Sequence, residues 1–144
     1  MMPQAPRYCV SANPSKAGRL LFQLSATAIE EAMGIPWNEI RHPYLVVFEE
    51  MNAAGNHFHR RKRELICVAR GTVRVTLEDL QTRHQEVIVL STDPTLGVAL
   101  GIAVPLGIAH AVTPLTPDAT LLVFATAPAR EPDDDFTYAV SAPR

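Results

Sequence analysis

The chain has 144 residues, 47% of them hydrophobic and 19% charged, the balance of a single soluble globular domain rather than of a disordered or collagen-like chain. Thirteen basic against fifteen acidic side chains give a formal charge of −2, with no broad positive field to attract nucleic acid or anionic lipid. Two cysteines, Cys9 and Cys67, are too few for a disulfide framework, and the first twenty residues hold no apolar secretory core, so a cytoplasmic protein is expected.

Residues 1–18, rich in Pro, Ser and Asn, read as an N-terminal arm whose first residues are loose, and residues 19–144 as one domain. A short strand is predicted over 20–24. Thr27-Ala28-Ile29-Glu30 matches a capping box, so a short helix should follow to about Met33, ended by Gly34 and Pro36. From Tyr44 onward the texture is all-β, with strands predicted over 44–49, 56–60, 64–69, 72–78, 86–90, 97–104, 109–115 and 119–125. Alternation places Val73, Val75 and Leu77 on one face as core, and Gly71 is expected to take the positive φ of a tight hairpin turn. The stretch between Asp93 and Asp118 lacks charge, but Gly97, Gly101, Pro105, Gly107 and Pro114 cut it into strand-sized pieces, which excludes a spanning helix.

The chemistry concentrates in two places. In Gly55-Asn56-His57-Phe58-His59-Arg60-Arg61-Lys62-Arg63-Glu64, residues two apart on a strand share a face, so His57 and His59 can aim both imidazoles at one point. Glu64 opens the next strand and can add a carboxylate to that pair. Pro105-Leu106-Gly107-Ile108-Ala109-His110 is a turn leading to a strand that offers a fourth ligand, His110. A lone histidine has many ordinary placements; this grouping points to one divalent ion, iron, manganese, nickel or zinc. Phe58, between two ligands, should face away from them. The run Arg60 to Arg63 reads as a solvated strand end, with a phosphate patch as its alternative.

The string His57-x-His59-x4-Glu64-x6-Gly71 resembles the first cupin motif, and Pro105-x-Gly107-x2-His110 resembles the second. The resemblance implies an all-β double-stranded β-helix, the cupin jelly-roll barrel, with the short N-terminal helix outside it and those four side chains as metal ligands. Two non-ligand positions depart from the pattern, near Met51 and at Pro114. A narrower likeness, carried by Gly55 to His59, the basic run and Pro132-Asp133-Asp134-Asp135-Phe136-Thr137-Tyr138, is to the sugar-processing cupins of polysaccharide biosynthesis. These are the WxcM-like nucleotide-sugar ketoisomerases and the C-terminal cupin of capsular-polysaccharide reductases. The likeness implies a small-molecule substrate, a nucleotide-linked keto sugar or a similarly shaped carbonyl compound. Ala54 stands where the ketoisomerases usually carry an arginine. Some relatives use the paired histidines as acid and base without metal, which leaves both roles open for His57 and His59.

A metal-bound carbonyl oxygen acidifies the neighbouring C–H, which favours isomerisation, epimerisation or cyclisation by proton transfer. Glu64 is the candidate base, and Tyr44 and Tyr138 are candidate proton donors. The alternatives are a non-haem iron dioxygenase and a non-catalytic small-molecule-binding module. Phe48, Ile66, Val68, Val104 and Phe124 fit a lined pocket under each. Apolar faces at Leu65, Cys67, Leu121 and Val123 would be uncovered in a lone barrel, so a homodimer is expected.

Overall fold

A computed structural model describes residues 4–16 and 18–140. In chain order the elements are β1 (Arg7–Tyr8), β2 (Ala12–Lys16), β3 (Arg19–Phe22), α1 (Ala26–Met33), β4 (Tyr44–Val47), β5 (Ala54–Phe58), β6 (Glu64–Arg70), β7 (Thr72–Asp79), β8 (Gln85–Ser91), β9 (Gly101–Val104), β10 (Ile108–Pro114), β11 (Thr120–Ala125) and β12 (Phe136–Thr137). Two five-stranded antiparallel sheets, ordered β1-β9-β6-β11-β4 and β12-β5-β10-β7-β8, form the body, and β2 and β3 make a separate two-stranded ribbon. From β8 to β11 successive strands cross between the sheets, which is the double-stranded β-helix expected from the two motifs.

The predicted alternation on β7 is what builds the interior. Val73, Val75 and Leu77 pack with Ile88, Leu90 and Val112 of their own sheet against Ile66, Val68, Val104, Leu121 and Val123 of the other. Gly71 has φ 82°, and a Cβ there would stand 3.0 Å from the Cα of Ala119. Its turn is not the expected hairpin. β6 pairs with β9 and β11, while β7 pairs with β8 and β10, so Gly71 carries the chain from one sheet to the other.

A second cluster lies outside the first sheet, where α1 lays Ile29 and Met33 over Leu65, Cys67, Ala103 and Phe124. The helix starts two residues earlier than the capping box suggested: Ser25, not Thr27, is the N-cap, its hydroxyl accepting from the Ala28 N–H at 3.3 Å. Glu30 instead accepts from the Trp37 N–H, and Gly34 closes the helix at φ 71° as expected. This cluster corrects two readings of the sequence. Leu65 and Cys67 are covered by the chain's own helix and Leu121 and Val123 lie in the barrel core, so none of the four argues for a dimer. Phe124 packs in the outer cluster rather than lining a pocket. Within the segment read as an arm, Arg7–Tyr8 pairs with β9, and Tyr8 is buried in the same outer cluster. Among the described residues no helix is long and apolar enough to cross a membrane.

Candidate active site and metal centre

β5 meets β10 through a bulge that aims the first histidine. Gly55 lies opposite Ala111 and His57 opposite His110, so Asn56 is the extra residue on β5. Gly55 and Asn56 take φ 90° and 57°, the left-handed region. Any side chain at Gly55 would be driven against the His110 carbonyl oxygen, 2.8 Å from an added Cβ. Close backbone contact therefore sets His57 across from His110, with ring centroids 4.7 Å apart. His59, just past the end of β5, brings its ring to 4.6 Å from that of His57.

Glu64, the first residue of β6, reaches the same point from the opposite sheet. Its Oε1 is 3.0 Å from His59 Nε2 and 3.4 Å from His110 Nε2. The ligand atoms of His57, His59, Glu64 and His110 all lie within 4.8 Å of one another. Each histidine turns Nδ1 away from this centre toward an oxygen: His57 to Asp135 Oδ1 at 2.9 Å, His59 to the Asp134 carbonyl at 2.8 Å, His110 to the Ile108 carbonyl at 3.4 Å. Backing of this kind fixes the tautomer with Nε2 bare, as in histidines that hold metals. His59 Nε2 and Glu64 Oε1 are buried and, despite their proximity, have no aligned hydrogen bond to each other or to any other group. With Nδ1 donating to the Asp134 carbonyl, a neutral His59 presents a lone pair to the carboxylate, and a proton or a cation between the two atoms would satisfy both. The donor set therefore fits a divalent cation, borderline in softness and accepting imidazole and carboxylate together.

The second carboxylate oxygen is occupied differently. Oε2 accepts the Tyr44 hydroxyl at 2.8 Å and stands 3.8 Å from Lys62 Nζ, which itself donates to Tyr44 Oη at 3.2 Å. Burial works to raise the Glu64 pKa, but His110, His59 and Lys62 outweigh it and hold the carboxyl well below its usual range. Burial, then the Glu64 carboxylate, pushes the Tyr44 hydroxyl strongly upward, so it keeps its proton. His57 is lowered to about 4, by burial first and then by the neighbouring His110 and His59 rings, against the pull of Asp135. His59 moves the other way: burial opposes its charge, yet the adjacent Glu64 carboxylate and the Asp134 carbonyl raise it.

Of the residues singled out in the sequence, His57, His59, Glu64, His110 and Tyr44 converge, and Tyr138 does not join them. His110 pairs with Leu77, whose side chain points inward, so Glu78 projects from the outer face of that sheet. There Tyr138 donates its hydroxyl to Glu78 Oε2 at 2.5 Å. Phe58 also faces outward, stacked on Phe136 beneath the Arg60 guanidinium. Glu64 is held through Oε2 by Tyr44, while its Oε1 faces the Nε2 atoms of His59 and His110.

Three residues of the site were missed in the sequence. Lys62 is not a solvated strand end: its side chain is 1% exposed and turned inward. Asp134 is buried, and its carboxylate accepts the backbone N–H groups of Arg60, Arg61 and Lys62 at 2.7–3.1 Å, clasping the turn that joins His59 to Glu64. Asp135 backs His57. The acidic run 133–135 was a visible signal, but which of its members turn inward is decided by β12 pairing with β5, Thr137 opposite His57.

Residues 16–139 match the sequence model of the family described as FdtA: WxcM-like, C-terminal. The chain belongs to this family. Solved structures share its fold at low sequence identity. The QdtA sugar 3,4-ketoisomerase of Thermoanaerobacterium thermosaccharolyticum, in complex with TDP, superposes with a TM-score of 0.71 at 15% identity, over 94% of this chain and 89% of that one. The rmlC epimerase of Mycobacterium tuberculosis gives 0.71 at 16% identity, over 91% and 66%. The capsular polysaccharide assembling protein CapF of Staphylococcus aureus gives 0.59 at 17%, over 68% of this chain and 26% of that one. No curated protein sequence matches the chain significantly. The WxcM-like domain is thus a cupin barrel whose His and Glu cluster could hold a metal ion.

Proposed function

We propose that this WxcM-like domain is a cupin isomerase or epimerase that moves a proton beside the carbonyl of a sugar-derived substrate, and that His57, His59, Glu64 and His110 hold one divalent ion for that reaction. The observation carrying the metal assignment is that His59 Nε2 and Glu64 Oε1, both buried, face each other without an aligned hydrogen-bond partner, while all three histidines are backed through Nδ1. The bound ion would supply electrophilic polarisation of the substrate's carbonyl oxygen. Support for the substrate class comes from family membership and from similar structures whose names are those of sugar ketoisomerases and an epimerase. Tyr44 and Lys62 hold Glu64 ionised and oriented, so it serves as a fixed anion. Asp134 and Asp135 orient the imidazoles.

A second reading is favoured by His57 in particular. It is the one member of the cluster left partly open, its side chain 24% exposed, and a carboxylate stands behind it. Neutral and so backed, His57 can take the proton from the substrate carbon and return it to the neighbouring one, with the deeper histidines and Glu64 shaping the site.

The test is incubation of the chelator-treated chain, with and without added manganese, nickel, iron or zinc, with a TDP-linked 4-keto sugar in deuterated water. Deuterium incorporation beside the carbonyl, with a shifted keto group or inverted centre, is expected. Activity that requires metal supports the first reading; equal activity in chelator supports the second. Absence of both exchange and turnover with keto sugars, linked to nucleotide or free, overturns the isomerase assignment, and oxygen uptake with iron would replace it by a dioxygenase.

A further inference from the structure

We propose that Lys62 is a resident counter-ion of Glu64 that weakens the hold of the His57, His59, Glu64 and His110 set on a divalent cation and keeps the ion exchangeable. The inference rests on the metal reading above and concerns a residue which that reading uses only to orient Glu64.

Glu64 is the sole carboxylate in the ligand set, and so the sole full negative charge it offers. That charge is already partnered. Lys62 Nζ lies 3.8 Å from Oε2, with its side chain 1% exposed, so bulk water and salt do little to screen it. The ammonium is also held in place. It donates to Tyr44 Oη at 3.2 Å and sits 5.0 Å from the centre of the Tyr44 ring, and its backbone N–H is clasped by Asp134 at 2.7 Å.

An arriving dication would therefore share the site with a buried cation that cannot swing out to solvent, and would find its one anionic ligand already paired. The consequence is a site whose occupancy follows the supply of metal, and whose carboxylate stays satisfied when the ion leaves.

The experiment is calorimetric titration of zinc and of manganese into the chelator-stripped full chain, as wild type, K62M, K62Q, K62R and R61M. Arg61 carries the same formal charge one residue away, with its side chain 68% exposed, and serves as the control. K62M should bind at least about tenfold more tightly than wild type, while K62R and R61M stay within about threefold. K62Q retains a donor for Tyr44 and should show the same tightening should methionine disturb the fold. Wild-type binding with equal or weaker binding by both neutral variants overturns the inference and leaves the metal reading standing. No binding by any variant overturns both. Binding by the neutral variants alone would be the strongest support.

Discussion

His59 Nε2 stands 3.0 Å from Glu64 Oε1, and neither atom has a hydrogen-bond partner although both are buried. Because the Asp134 carbonyl takes the ring's other nitrogen at 2.8 Å, neutral His59 meets the carboxylate with a lone pair. Such a contact is unfavourable until a cation, a metal ion or a proton, comes between them. Saturating zinc or manganese should accordingly stabilise the chain by about 3 kcal/mol at a hundredfold excess over Kd, measured as a Tm shift. His59→Ala should abolish that shift while the metal-free variant still unfolds cooperatively. A full metal-dependent shift in the variant would exclude His59 as a ligand.

Asp134 holds the ligand turn from the far end of the chain. Four contacts from three backbone N–H groups converge on its buried carboxylate. Burial raises its pKa, but those N–H groups outweigh it and lower the value. Asp134→Ala strands the donors and should cost about 3 kcal/mol in urea unfolding. A loss below about 1 kcal/mol would mean that the clasp is dispensable.

Asp135 should matter for the site rather than for the fold. Its contact with His57 at 2.9 Å is half-exposed, so Asp135→Asn ought to change stability by less than about 1 kcal/mol. Metal affinity or turnover should nevertheless fall by about 10- to 100-fold, as for other groups that orient a ligating imidazole. Unaltered affinity and turnover in the variant would remove Asp135 from the site.

The pH dependence of the metal-free chain follows from His57. Its folded value is about 4, below the ordinary 6.5 for the unfolded chain. Between those values the unfolded state binds more protons, so stability rises with pH, by at most about 1.4 kcal/mol per pH unit, and falls on acidification. His59, raised in the folded state, contributes in the opposite sense: its stabilisation is complete below 6.5 and fades as pH climbs through its folded value. Subtracting His57→Gln from wild type in urea titrations at pH 4 to 8 should isolate the rising limb. A flat difference over pH 4 to 6.5 would refute it.

Gly55 should tolerate no side chain. Alanine there combines positive φ with a Cβ 2.8 Å from the His110 carbonyl, backbone against backbone. Gly55→Ala should lose about 2 kcal/mol or more and displace His110, lowering metal affinity along with stability. A crystal structure of the variant with the bulge unchanged would contradict this.

The residue order alone carried the barrel and the four side chains that converge inside it, because both are written in local spacing. Period-two alternation on β7 names the core face wherever β7 is placed, and His57-x-His59 with Glu64 and His110 names a candidate donor set before any contact is known. What needed the fold were relationships between segments far apart in the chain. Thr27 and Ser25 are both residue types that cap helices, and in the folded chain Ser25 is the cap, with Thr27 inside the helix. Tyr44 and Tyr138 look alike as proton donors, yet strand register sends one hydroxyl to Glu64 and the other to the far side of the sheet. Lys62 is one of four adjacent cations in the sequence, and only the clasp from Asp134 turns it into the interior. Local pattern fixes which chemical groups face which side of an element; which groups become partners, and at what charge, is set by distances that exist only once the sheets close.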